Sequence, residues 1–336
     1  MITVTLFTSP SHIKAELRIR GYLEKNKERV PHQLVLIDIS NDPALVKAYE
    51  ARIPLLQVGP YHLSWPFSQQ ELLVSLQAAH DRQTRMEQSG DVTHAARRKR
   101  GRTFGKSDRF TYWFSSHYML VFNLLVAMYV GLAFFAPTLM KIGARGPARV
   151  LYTLYSPLCH QLAYRSWFLF GEQGFYPREL AGIDGVLTYN QVTGYDEFDV
   201  VQAKRFIGDE TIGYKVAICE RDIAIYTGIL LFGILFSISR NRLKSLPWYI
   251  WVFIGIGPLG LDGASQLPSL LTFLPDWLPL RESTPLLRTI TGALFGITTA
   301  WYGYPLVEES VQDSRRMLIQ KRAVIEQVTN TEHEVK

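Results

Sequence analysis

Only two cysteines occur in the 336 residues of this chain, and each opens a short polar box. Cys159 begins Cys159-His160-Gln161, with Arg165-Ser166 following; Cys219 begins Cys219-Glu220-Arg221-Asp222. Thiolate, imidazole and carboxylate are the ordinary ligands of zinc and other transition metals, so Cys159, His160, Cys219 and Asp222 make one candidate metal set. Cys219 and Asp222 stand three residues apart and share a helix face, which suits chelation. The adjacent Cys159 and His160 would diverge by about 100° on a helix and suit it less. Two cysteines without competitors can equally close a disulfide in an oxidising compartment. A third reading leaves both thiols buried and inert beside a structural network of Arg, Asp and Gln. Residue types alone leave all three open, and no nucleophile-base-acid arrangement, phosphate loop or zinc-protease motif names a reaction.

Further groups belong with these boxes. Asp262 and Gln266 are four residues apart, hence on one helical face, and Asp262 interrupts a run that is otherwise apolar from Leu246 onward. A carboxylate there is costly against lipid and needs protein or water beside it; Arg221 or Arg288 is the expected partner. Arg281, Glu282 and Arg288 read either as members of the cluster, with Ser283, or as interfacial anchors at a span end.

The elements that must position these groups are membrane helices. The segments near 117–138, 223–239, 245–261 and 289–307 carry no Asp, Glu, Lys or Arg, and uncharged runs of that length are candidate spans. Basic residues gather before the first (Arg97 to Arg109), between the second and third (Arg240, Arg242, Lys244) and after the fourth (Arg315, Arg316, Lys321, Arg322). The positive-inside rule then predicts four crossings of the cell membrane with both termini cytoplasmic, placing the loops 139–221 and 268–287 outside. In that topology all the groups above converge at one outer depth. Val150–Phe170 reads as an interfacial or re-entrant helix, or as a fifth span. The polar insertion that follows, about 171–218, reads as short hairpins and a candidate lid or docking surface. Met1–Phe7 leads straight into polar sequence, so no cleavable signal peptide is expected. The formal net charge is a modest +6, and the Arg97–Arg102 cluster suits anionic lipid, so the bilayer and not nucleic acid is the expected partner.

Residues 1–85 alternate as a soluble β-α-β-α-β-β-α module. Strands are predicted at Thr3–Phe7, Gln33–Asp38, Leu55–Val58 and Tyr61–Ser64, and helices at Ser11–Lys25, Pro43–Ala51 and Gln69–Ala79. The turn Thr8-Ser9-Pro10-Ser11-His12, the Ile53-Pro54 step and Trp65-Pro66-Phe67 resemble the thioredoxin fold, and more narrowly the small glutaredoxin-like domains of bacteria. The resemblance implies a cis-proline at Pro54 and a Cys-x-x-Cys pair at the first helix, where this chain has His12-Ile13-Lys14-Ala15. Without an attacking and a resolving thiol there is no dithiol chemistry. A degenerate docking module is the expected role, with His12 a surface or helix-start residue. The fold class expected is thus an α/β thioredoxin-like domain followed by an all-α transmembrane bundle. A basic linker at 86–112 joins the two, the bundle fills 113–308, and a cytoplasmic helix and tail occupy 309–336.

The second module resembles the domain of unknown function 2085, a family of bacterial membrane proteins. The marks are Cys159-His160-Gln161, Arg165-Ser166, Cys219-Glu220-Arg221, Ile225-Tyr226-Thr227-Gly228 and Asp262-Gly263 with Gln266. The resemblance covers about 140–310 and implies membrane residence but no particular reaction. The family pattern has a further Cys where this chain has Asp222, which weakens a simple Cys-x-x-Cys redox proposal. The function expected is a non-catalytic binding, structural or complex-subunit protein, with the head meeting a cytoplasmic protein partner and the chain working in a membrane complex or a homo-oligomer. A membrane thiol-disulfide oxidoreductase or metal-dependent enzyme is the alternative, and a transporter gated by Asp262 a third.

Overall fold

The computed structural model describes residues 2–41, 45–46, 49–88, 103–239, 241–267 and 281–334, with side chains to residue 326. These form two compact units, one of 1–117 with 309–336 and the other of 118–308.

In the first unit, β1 (Ile2–Thr8) runs parallel to β2 (His32–Asp38), with Ile2 opposite His32 and Thr8 opposite Asp38. It runs antiparallel to β3 (Leu55–Val58), which turns through Gly59-Pro60 into β4 (Tyr61–Ser64). The sheet order is β2-β1-β3-β4. Between β1 and β2, α1 (Ile13–Asn26) presents Ile19 and Leu23; after β4, α2 (Gln69–Gln88) presents Leu72, Leu76 and Ala79. Spacings of three and four put these side chains on single stripes, and both stripes bury against Val4, Leu6, Leu56 and Val58. Ser68 and Glu71 cap α2 reciprocally, at 3.1 Å to the Ser68 hydroxyl and 2.7 Å to the Glu71 carboxylate. The opposite sheet face, with Phe7, Val35, Ile37 and Leu55, is covered by Leu45 and by Ile319, Ala323 and Val324 of the last helix. The Ile53-Pro54 and Trp65-Pro66 peptide bonds are cis.

Two boundaries differ from expectation. Helix α2 runs nine residues past Ala79, and α3 (Lys106–Lys141) begins inside the expected linker. The basic cluster Arg97–Arg102, most of the 268–287 loop and much of the Pro43–Ala51 segment lie outside the described residues.

The second unit takes in most of α3, then α4 (Arg145–Tyr155), α7 (Glu220–Ile238) and α8 (Trp248–Ile250), which continues through a π-wound turn at Trp251–Ile256 into α9 (Gly257–Ala264). The early part of α10 (Pro285–Glu334) completes it. The insertion between α4 and α7 holds a small antiparallel sheet, β5 (Phe168–Leu169), β6 (Gly208–Asp209) and β7 (Gly213–Lys215), in the order β5-β7-β6. It also carries two short helices that its weak periodicity does not announce, α5 (Tyr189–Thr193) and α6 (Val200–Arg205); Asp199 caps the second at 2.9 Å from the Gln202 amide. Val150–Phe170 is neither a fifth helical span nor one interfacial helix. Helix α4 ends at Tyr155, Pro157 follows, and Gln161 turns the chain at φ 55°.

Among the described residues, α3 and α7 are long and apolar enough to cross a membrane. Leu120, Leu124, Met128, Leu132 and Phe135 recur at three and four residues along α3, and all are exposed. A stripe of that spacing is the one a helix in water would bury.

Prolines inside α3 and α10 each leave a carbonyl four residues back without its helical donor. Pro137 frees the carbonyl of Ala133, which accepts from the Ala217 amide at 3.2 Å. Pro305 frees that of Trp301, which accepts from Leu246 at 3.4 Å. The chain just before α7 is thereby tied to α3, and the chain just before α8 to α10. In apolar surroundings an unmet carbonyl is costly, so these prolines set where the connecting chain docks.

Candidate functional site

The Cys159-His160-Gln161 turn is held from below by its own glutamine. The buried Gln161 amide donates to the carbonyls of Tyr152 and Ala217, both at 2.9 Å, and its carbonyl accepts from the Lys215 ammonium at 2.7 Å. Lys215 is fully buried and donates a second bond to the Lys204 carbonyl at 2.7 Å. Burial pushes the Lys215 pKa down to about 7; Cys159 opposes the shift and Lys204 adds to it. This clamp presents Cys159 to the start of α7, where the Cys219 amide donates to Cys159 Sγ at 3.3 Å. Both cysteines are free thiols. The bond from Cys159, burial and the charges of Cys159 and Asp222 push the Cys219 thiol well above its usual pKa.

Beside the thiols lies a network of buried ion pairs. Glu282 is its hub: Arg165 holds it in a two-pronged contact at 2.7 and 2.8 Å, Arg178 reaches it at 3.1 Å, and Arg288 completes the set. Arg288 also pairs with Glu220 at 3.2 Å and donates to Gln266 at 3.3 Å. A second hub is Asp262, paired with Arg221 and, at 3.3 Å, with Arg281. It further accepts from Ser283 at 3.0 Å, while the Gln266 amide donates to its backbone carbonyl at 2.6 Å. Arg178 also stands over the rings of Tyr164 and Phe198, at 5.1 and 4.5 Å. For Glu282, burial alone would raise the pKa, but the hydrogen bonds from Arg165 and the charges of Arg165, Arg288 and Arg178 outweigh it and hold the carboxyl below its usual range.

A cavity of about 290 Å³ opens onto this cluster, lined by Cys159, His160, Gln161, Arg165, Cys219, Arg221, Asp222, Gln266 and Arg288. Asp262 lies behind it, 5% exposed. One member of the expected metal set departs: His160 faces solvent at the rim, and the ligand atoms that approach within 4.8 Å of one another are those of Cys159, Cys219 and Asp222. The ring diverges because it neighbours the inward-pointing Cys159 in the irregular chain beyond α4, not on the helix expected there. Asp262 takes Arg221, whereas Arg288 turns to Glu220 and Glu282. The anchoring alternative does not hold for Glu282 and Arg288, which are 4% and 2% exposed and face protein.

Glu220, Arg178 and Lys215 belong to this arrangement, and sequence reasoning passes over them. Glu220 stands inside a quoted box but looks like a helix-start carboxylate. Arg178 sits in an insertion with no periodic pattern. Lys215, a charged residue directly ahead of the apolar Val216-Ala217-Ile218, is the one with a local signal.

Residues 211–302 match the family described as predicted membrane protein (DUF2085). An uncharacterized protein of Methanocaldococcus jannaschii is 26% identical over 203 residues, which is 58% of this chain and 95% of that protein. No solved structure matches the chain. The matched family segment holds Cys219, Asp222, Asp262, Gln266 and Arg288 and stops short of Cys159, so it is narrower than the resemblance read from the boxes. The part of this chain from α7 to the early turns of α10 is thus similar to a family of predicted membrane proteins.

Proposed function

We propose that this chain is a four-pass protein of the cell membrane with both termini in the cytoplasm, and that the cavity beside Cys159 and Cys219 is a non-catalytic ligand-binding site in its outer half. The observation that carries the reading is the arginine-carboxylate network. Breaking even one buried ion pair is costly, and a fold could replace such pairs with apolar side chains at no loss. Here five guanidiniums, Arg165, Arg178, Arg221, Arg281 and Arg288, meet four carboxylates, Asp222, Glu220, Glu282 and Asp262, and Arg165, Arg221 and Arg288 line the opening itself. Such an investment of charge at a membrane end fits recognition of a polar or anionic group better than it fits stability. The exposed stripe of α3, and the exposed Leu231, Leu235 and Ile238 of α7, support lipid contact, and the remaining two crossings fall in α8–α9 and in the first part of α10.

The head is read as thioredoxin-like: a parallel β1/β2 pair continued by antiparallel β3 and β4, with helices on both faces, supports it. Just before the expected dithiol position His12 to Ala15, Ser9 and Ser11 share a 2.7 Å hydrogen bond, and the His12 ring that opens it lies 2.9 Å from Ser11 Oγ. That leaves docking to a cytoplasmic partner as its role.

The adjacency of the two thiols favours one rival, a membrane thiol-disulfide oxidoreductase. Trapping the thiols in intact cells separates the two readings. Binding predicts one constant state of Cys159 and Cys219, and a population that cycles between thiol and disulfide with added oxidant overturns it. The topology is tested in a Cys159→Ser/Cys219→Ser background. A membrane-impermeant maleimide should label Asp184→Cys in the exposed insertion and spare His62→Cys in the head; the reverse pattern, or labelling of both, overturns it.

A further inference from the structure

We infer that Cys159, Cys219 and Asp222 form a three-ligand site for a thiophilic divalent cation of the zinc class, with its fourth position open to the cavity. This rests on the binding-site reading above and adds a metal ion whose open position faces the space where the polar or anionic group would bind. The first observation is geometric: Cys159 Sγ, Cys219 Sγ and a carboxylate oxygen of Asp222 lie within 4.8 Å of one another. Tetrahedral zinc with sulfur at about 2.3 Å and oxygen at about 2.0–2.2 Å spaces its ligand atoms roughly 3.5–3.8 Å apart. The largest separation exceeds that spacing by about 1 Å, so binding draws the three side chains together.

The second observation is a missing partner. In a cavity crowded with guanidiniums, the neighbouring carboxylates are all paired: Asp262 with Arg221 and Arg281, Glu220 with Arg288, Glu282 with Arg165, Arg178 and Arg288. Among the described residues, no Lys or Arg pairs with Asp222, although the adjacent Arg221 lines the same space. Three acid-bearing groups therefore meet with no cation of the protein between them. The third is support from outside the ligands. The Cys219 amide donates to Cys159 Sγ, and Gln161 and Lys215 pin the turn that carries Cys159, the outer-shell fixing that metal sites use. Three protein ligands leave a fourth position open to a water or a ligand's donor atom, in the cavity that Arg165 and Arg288 also line.

The test uses the full chain purified in detergent, stripped with chelator under reducing conditions, and titrated with Zn2+ and separately with Co2+. One equivalent should bind, and the Co2+ form should show thiolate-to-cobalt charge-transfer absorption. Cys159→Ser and Cys219→Ser should abolish that band. Asp222→Ala should weaken Zn2+ binding by more than the roughly 10–100-fold that loss of an outer-shell partner costs. Asp222→Cys should restore binding and strengthen the band, which shows that the site and not the fold was lost. Reduced, alkylatable thiols that bind neither ion overturn the proposal, as does a Cys159–Cys219 disulfide. Neither result touches the maleimide topology, so failure of the metal site and failure of the membrane reading are distinguishable.

Discussion

Glu282 accepts from three guanidiniums while almost wholly buried, so its removal leaves like charges facing one another without a counter-ion. Losing one partner of a buried pair costs about 3–5 kcal/mol, and Glu282→Gln should destabilise the second unit on that scale in detergent melts. The pH dependence follows from the lowered pKa. Unfolded, the carboxyl titrates at its ordinary 4.5; folded, it holds its charge to a lower pH. Its stabilising contribution is therefore complete above about pH 4.5 and is lost as pH falls through the folded value. The gap between the wild-type and Glu282→Gln melting temperatures should shrink as pH falls below 4.5; a gap that widens there contradicts the assignment. At this scale the sequence was partly legible. Asp262 announced a partner because a carboxylate in an apolar run must have one, and Arg221 was one of two within reach. Glu282 and Arg288 gave no such signal, since a charge at a span end has the same local pattern whether it snorkels to water or turns inward.

Helix α7 approaches α10 closely enough that glycine is required at the crossing. A Cβ on Gly292 would stand 2.7 Å from the Arg221 carbonyl, one on Gly296 would collide with the Ile225 carbonyl, and one on Gly228 would lie 3.1 Å from that of Ala293. This small-residue contact brings Glu220 and Arg288 together near the helix ends. Gly296→Ala should force the helices apart and cost about 1–3 kcal/mol. Gly303→Ala on the same helix meets nothing within 4 Å and should gain up to about 1 kcal/mol through helix propensity. Opposite signs from one substitution on one helix, read by thermal unfolding in detergent, check the crossing independently of any charge. Uncharged length makes helices of this kind readable, but it does not say which face meets which. The glycines at 292 and 296 have the right spacing, yet so do residues facing lipid. The break after Tyr155 was obscured for a different reason: Pro157 and Gln161 interrupt an apolar stretch whose composition still suits a helix.

For the whole molecule, the first unit draws on both ends of the chain. Its sheet has two apolar faces, and α1 with α2 fill only one of them. Phe7, Val35, Ile37 and Leu55 on the other require Ile319, Ala323 and Val324, more than 250 residues away in sequence. Gln320 adds a 3.3 Å hydrogen bond to Tyr49, and Lys321 a 2.7 Å ion pair to Asp108. The charged pattern after Glu308 is equally compatible with lipid, water or protein, so this docking is legible only when the uncovered sheet face is known. Ile319→Asp with Val324→Asp sets two partly buried carboxylates against that apolar face and should destabilise the first unit, because a charge there has no partner. Hydrogen exchange localises the effect. Amides of β1, β2 and β3 should lose protection, while those of β7 and α7 keep theirs, since the second unit has its own core around Ala133, Tyr152 and Val216. Equal loss in both regions would mean that the two units do not fold as separate cooperative bodies. Unchanged protection in the strands would mean that the helix beyond Glu308 lies elsewhere.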